Sequence, residues 1–212
     1  MPPAPNLLPK WLDLWRRLGV TADTQPIWSE LVAHYSTPPR AYHNLAHIGH
    51  CLSEFESVRA LCTDPKSIEM AIWYHDAIYV SHASDNEEQS AALAVRDLQK
   101  MGLPYADAFG ATVTNLILAT KHRDPPGSPD AALLVDIDLS ILGQPVELFD
   151  AYERQIREEY QWVSDEGFRH GRARVLKTFL DRPAIFATET FSGRYEAAAR
   201  ENLRRSVAAL GI

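Results

Sequence analysis

The sequence predicts an all-α protein, and three observations point there. Apolar residues recur at three- and four-residue spacing through nearly every segment, as they do on helices with one face turned inward. Runs that alternate apolar and polar residues between turn signals, as half-buried strands would, are missing. The breaks carry helix-ending and turn-forming residues: "STPPR" at 36–40, "TDP" at 63–65, "MGLP" at 101–104, "DPPGSPD" at 124–130 and "FSGR" at 191–194. None of these is long enough to link domains, and no repeat or low-complexity segment interrupts the chain. A single compact helical domain over residues 1–212 is expected, with 46% apolar content ample for its core.

Ten helices are expected. The first spans Leu7 to Leu18 and the second Gln25 to Tyr35; Trp11, Trp15 and Trp28 sit on their amphipathic pattern and suit core packing better than base stacking. The third, His43 to Cys62, carries an aliphatic stripe of Leu45, Ile48, Leu52 and Phe55. The fourth, Pro65 to Tyr79, has an inward stripe of Ile68, Ala71, Ile72, His75, Ile78 and Tyr79. The fifth, Asn86 to Met101, opens on acids, which favour a helix N-terminus. The sixth, Ala106 to Lys121, presents Val113, Leu116, Ile117 and Thr120 and closes on cations. Asp130 to Leu142, Val146 to Trp162, Glu166 to Leu180 and Tyr195 to Leu210 complete the set.

The formal charge of −7 argues against a general binder of duplex nucleic acid or anionic membrane, although a local basic patch is compatible with it. Cys51 and Cys62 lie eleven positions apart on one expected helix, about 16 Å at its rise per residue, too far for a disulfide. They read as core thiols in a reducing compartment. No apolar run approaches the roughly 20 residues that span a bilayer, and "MPPAPNLLPK" lacks the basic-then-apolar order of a leader, so a cytoplasmic protein is expected.

Chemistry enters with "AIWYHDAIY" at 71–79, where His75 and Asp76 interrupt an apolar helix. A buried imidazole must be hydrogen-bonded, and a buried carboxylate must be paired or bound to a metal. A core histidine bonded to a backbone carbonyl is one reading, and the adjoining aspartate weighs against it. "YHNLAHIGH" places His43, His47 and His50 at i, i+4 and i+7 on one helical face, opposite the aliphatic stripe. His50 and Glu54 fit a solvated face, and His47 can be a ligand only if the helix is covered on both sides. In "LLVDIDLSIL", Leu133 to Leu142, helical spacing brackets Asp138 with Leu134, Ile141 and Leu142, so Asp138 is expected to be more buried than Asp136. Capping of a neighbouring helix is the alternative role for one of the two. Two histidines and two aspartates on separate rigid elements suit a divalent ion that accepts nitrogen and oxygen together. Such an ion acidifies water and polarises phosphoryl oxygen, which makes hydrolysis the natural chemistry.

His47, the pair His75–Asp76 and then Asp138 follow the H…HD…D order of the HD superfamily of metal-dependent phosphohydrolases, which the chain resembles. "YHNLAHI", "WYHDAIY", "DNEEQSA", "ATKHRD", "DIDLSILG", "QIREEYQWV", "GRARVLKTFL" and "ARENL" are similar to a group of small bacterial predicted phosphohydrolases of that superfamily, a likeness covering residues 40 to about 205. The resemblance implies a single-domain HD-type bundle of about nine to eleven helices. Its metal-site core would run from about residue 40 to 142, with helices from 145 to 212 packed on it. It implies a divalent cation (Mn, Mg, Fe, Co, Ni or Zn) on His47, His75, Asp76 and Asp138, with Asp136 the alternative two positions away.

Around that metal, Glu87 is expected to orient a ligand or water, or simply to stabilise its helix start. Lys121 and His122 end a helix at a corner that should lie near the metal, His122 binding phosphate or giving a proton to the leaving oxygen. Arg157 and Arg172, in a cationic stretch largely offset by interspersed acids, are candidates for two-pronged phosphate contacts. His43 is placed at the mouth of the site. The expected partner is a small phosphorylated metabolite or nucleotide. A non-catalytic nucleotide sensor, a di-iron oxygenase recruiting His43, Glu87 or His122, and a structural metal are the competing readings.

Overall fold

A computed structural model describes residues 6–211; the opening "MPPAP" of the stretch read for a leader, and Ile212, lie outside the described residues. Those residues form ten α-helices and two 3-10 turns, and no strand occurs among them. No helix of the described residues is long and apolar enough to cross a membrane. The chain divides into two compact units, Met1–Leu134 and Val135–Ile212, the division falling within one helix.

The first unit contains α1 (Leu8–Arg17), α2 (Gln25–Tyr35), α3 (Leu45–Val58) with a 3-10 turn after it (Arg59–Leu61), α4 (Pro65–Tyr74), α5 (Asn86–Lys100), α6 (Ala106–Ala119) and the start of α7 (Pro129–Leu139). Local chemistry sets several of these bounds. Leu18 closes α1 and Gly19 comes next at φ +82; the Gly19 and Val20 amides donate to the Arg16 and Trp15 carbonyls, a closure that needs a left-handed residue, which glycine supplies without steric cost. Asp64 starts α4 by accepting from the Lys66 and Ser67 amides, with Pro65 in the first turn where its missing N–H costs nothing.

α4 is the hub of this unit. It packs against α1, α3, α5 and α6, and every residue from Ser67 to Tyr74 is buried. A helix covered on all sides has no polar face, so the one-sided stripe expected from the sequence is only part of its contact surface. Trp11 and Trp15 are buried in the core and the half-buried Trp28 packs against it: Trp11 meets Trp15 and Trp73 edge-on at 5.5 Å, and Trp28 meets Trp73 at 5.9 Å. One charge is buried on α4, and it is paired. Glu69 accepts from Arg17 at 2.6 Å and from Arg59 at 2.9 Å.

The second unit holds the end of α7, a 3-10 turn (Ser140–Gly143), α8 (Val146–Glu159), α9 (Asp165–Leu180) and α10 (Glu189–Leu210). The turn packs on α10, and Gly143 is required there because a Cβ would stand 2.4 Å from that of Tyr195. Asn202 of α10 donates to the Leu142 and Gln144 carbonyls at 2.9 Å. α10 begins six residues before the expected start, so "FSGR" lies inside it and is not a break. Two local anchors outweigh the weak propensity of Ser192 and Gly193: Thr188 caps the Phe191 amide, and Phe191 is fully buried against Phe186.

Candidate metal centre

The pair His75–Asp76 does not lie within a helix. α4 stops at Tyr74, five residues short of the expected end, and His75 is its cap. The reason is competition for carbonyls. His75 Nδ1 takes the Ile72 oxygen at 3.0 Å, Tyr35 donates to the Trp73 oxygen at 2.9 Å, and the Ala77 amide closes a tight turn onto the Tyr74 oxygen at 2.8 Å. Arg40 donates to the Asp76 and Ala77 carbonyls at 2.6 and 2.8 Å and to that of His43 at 2.9 Å. α5 fastens the chain beyond Ala77: Ser90 bonds the Ile78 backbone, and Asn86 bonds the Val80 amide and carbonyl at 3.0 Å each. In "DNEEQSA" the residues that hold this segment are therefore Asn86 and Ser90.

His47 enters from α3, which starts at Leu45 and is capped by the Asn44 side chain on the Ala46 amide. His43 consequently precedes the helix and shares no helical face with His47 and His50, although its ring stays 6.2 Å from that of His47. α3 buries a single face, on which His47 and Cys51 sit beside Ile48, Leu52 and Phe55, while Ala46, Ser53, Glu56 and Ser57 are exposed; His47 is therefore buried without the two-sided cover expected to be necessary. His50 is half-buried.

Three ligand atoms converge. His47 Nε2 lies 3.1 Å from His75 Nε2, and Asp76 Oδ2 lies 3.2 Å from His75 Nε2 and 3.4 Å from His47 Nε2. The carbonyl partner of His75 Nδ1 can only accept, so Nδ1 carries the ring proton and Nε2 turns its lone pair to Asp76. Two acceptors 3.2 Å apart, on side chains only 2% and 18% exposed, require a shared cation or proton. Donors about 2.1 Å from one divalent ion stand about 3.0 Å apart at right angles and about 3.4 Å apart at tetrahedral angles, which brackets these separations. Burial pushes the Asp76 carboxyl up, but the His75, His43 and His47 imidazoles beside it, when charged, outweigh burial and hold it well below the usual carboxylate range.

Cys51, one turn after His47, belongs to the same cluster. Its Sγ lies 3.7 Å from both His47 ring nitrogens, and the donor atoms of His47, Cys51 and His75 all fall within 4.8 Å of one another. These histidine, cysteine and aspartate side chains can hold a metal ion. The spacing of four from His47 is the sequence signal for Cys51, and a reading of the thiol as core alone misses it.

The structure places each of the other expected residues. His43 stacks on Tyr79 with ring centroids 4.0 Å apart and contributes to the field at Asp76. Glu87, in the first turn of α5, is 4.0 Å from Lys121, which is ion-paired more closely with Glu88. His122 has φ +55, the one left-handed non-glycine among the described residues, its amide bonded to the Ala119 carbonyl at the end of α6. Asp138 sits in the last turn of α7 and is half-buried, whereas Asp136 is fully buried. This reverses the expected order of burial. Asp136 accepts from the Ala187 and Thr188 amides at 2.7 and 2.8 Å and from the Thr188 hydroxyl at 2.6 Å, so it is the aspartate that braces a neighbouring helix start. Burial raises its pKa, and those bonds lower it without cancelling the rise.

Arg157 donates to the Tyr160 and Val163 carbonyls and to Asp165, tying α8 to α9. Arg172 is held by Glu153 and lies over the Tyr152 ring. Both guanidinium groups are engaged within the second unit.

Arg40 carries no local signal in the sequence, yet it fixes the backbone of both Asp76 and His43. Arg40→Ala is expected to cost about 2–4 kcal/mol, because three carbonyls lose a charged donor. It should also weaken metal binding roughly 10–100-fold, as loss of an outer-shell partner does. Denaturant unfolding and metal titration read the two effects, and Arg40→Lys should recover part of each.

Scanned against protein-family models, curated proteins and solved structures, the chain matches none.

Proposed function

We propose that the protein is an HD-type, metal-dependent phosphohydrolase that cleaves a phosphate ester of a small metabolite or nucleotide. The observation that carries this reading is the buried triangle of His47 Nε2, His75 Nε2 and Asp76 Oδ2, with His75 fixed in the ligating tautomer by the Ile72 carbonyl. Asp136 is consumed by its bonds to Ala187 and Thr188, so Asp138 is the acid of that pair assigned here as a further ligand. When bound, a divalent ion supplies acidified water and a Lewis acid for phosphoryl oxygen.

The chain's own groups then divide the remaining work. Asp76 stays ionised and offers Oδ2 to the cation beside His47 and His75. His43, braced by Tyr79 and by Arg40 on its carbonyl, lines the entrance. Glu87 orients the incoming water, Lys121 beside it counters charge on the phosphoryl oxygens, and His122 protonates the leaving oxygen.

The test is phosphate release from a panel of nucleotides and phosphomonoesters, with metal-stripped protein, each divalent cation restored in turn, and a His75→Ala, Asp76→Ala double variant alongside. Metal-dependent release that the double variant lacks is the expected result. Tight metal binding with no turnover would move the reading to a nucleotide sensor. Two imidazoles and one carboxylate also suit non-haem iron, so retained iron with an optical band would favour an oxygenase.

A further inference from the structure

The site holds one donor that the H…HD…D pattern does not supply. Cys51 is fully buried and unoxidised on α3, one turn beyond His47, with Sγ 3.7 Å from His47 Nε2. A nitrogen at about 2.05 Å and a sulfur at about 2.3 Å on one tetrahedral ion stand about 3.6 Å apart. Sγ is 3.7 Å from both ring nitrogens, which is no directional thiol bond to either, and the donor atoms of His47, Cys51 and His75 fall within 4.8 Å of one another, close enough to converge on one ion. Cys62 is a contrast within the same chain: its Sγ faces the Val58 carbonyl one turn before it, and burial pushes its thiol up to about 11.

We infer that Cys51 is a metal ligand, making this a mixed imidazole, carboxylate and thiolate centre that takes thiophilic borderline ions such as zinc, cobalt or cadmium in preference to magnesium or manganese. Binding forms a bond from sulfur to the metal and breaks S–H, so one proton leaves to solvent for each ion taken up through this donor. The inference rests on the metal reading above, and it does not depend on phosphohydrolase activity. It also narrows the cofactor. A site of nitrogen and oxygen alone leaves the choice among divalent ions to cellular supply, whereas a thiolate adds a chemical preference.

The experiment is cobalt(II) titration of the metal-stripped full chain under reducing, oxygen-free conditions, followed by optical absorption. Visible d–d bands report cobalt in the site; a near-ultraviolet sulfur-to-cobalt charge-transfer band reports the thiolate. The expected result is both bands in the wild type and loss of the charge-transfer band alone in Cys51→Ser. Cadmium affinity of that variant should fall by more than the roughly 10–100-fold typical of outer-shell changes, with magnesium affinity unchanged. X-ray absorption of the zinc-loaded wild type needs no variant, and a sulfur scatterer at about 2.3 Å is expected. Visible bands without charge transfer, or zinc with only nitrogen and oxygen neighbours, overturns the role of Cys51 and leaves the metal centre standing. Absence of any cobalt or zinc binding overturns both.

Discussion

His75→Ala is expected to reduce divalent-metal affinity by at least about 100-fold, more than loss of an outer-shell partner costs. The side chain does two things at once. Its Nδ1–H occupies the Ile72 carbonyl, which helps to end α4, and its Nε2 completes the triangle with His47 and Asp76. Alanine removes one donor nitrogen of the triangle and leaves the other two donors without the group that stands 3.1 and 3.2 Å from them. Calorimetric titration of the metal-stripped protein measures the loss. Asp138→Ala should also weaken binding, whereas Asp136→Ala should lower stability and leave affinity within a few-fold of wild type. Unchanged affinity in His75→Ala would remove the basis of the metal centre.

The largest stability effect is expected from Trp11→Ala, about 3–5 kcal/mol, as for other large-to-small changes at fully buried aromatics. Trp11 is 0% exposed and touches Trp15, Trp28, Trp73 and Tyr74 with centroids 5.5 to 6.1 Å away, so its loss opens a cavity between α1, α2 and the hub helix. In a chain of this length that corresponds to a drop in Tm of roughly 10 °C. Part of the loss is offset, because Trp11 Nε1 is buried without a hydrogen-bond partner, and an unsatisfied buried donor costs about 1–3 kcal/mol. Trp11→Phe removes that donor and keeps most of the ring, so it should be milder by more than half. Thermal unfolding of the two variants separates cavity from donor, and equal losses would refute this division.

The helical class and most of the helices are legible in the sequence because spacing of apolar residues and cap chemistry are local properties. Asp64 before Pro65, Leu18 before Gly19, and the Gln25–Tyr35 run behave as the local pattern says. The departures share a cause. α4 has no glycine or proline near Tyr74, so its pattern runs on to Tyr79, yet donors from Tyr35 and Arg40, up to 38 positions away in sequence, take the carbonyls that a longer helix would use. Ser192 and Gly193 look like a break before α10, whereas the buried Phe191 and the Thr188 cap hold the turn in helix.

What the sequence determined by itself is the set of chemical groups: His47, His75 and Asp76 among apolar neighbours, where an unpaired charge is too costly to bury and a cation resolves the cost. Packing decided how those groups are used. It turned His75 Nδ1 to a carbonyl and Nε2 to the site, brought Cys51 beside His47, and gave Asp136 to the backbone at Ala187 and Thr188, some fifty positions away in sequence. Helical spacing ranks Asp138 as the more buried acid because it counts neighbours on one helix only. Burial and hydrogen-bond partners come from other helices, and their donors and faces are set by contacts that no local pattern encodes.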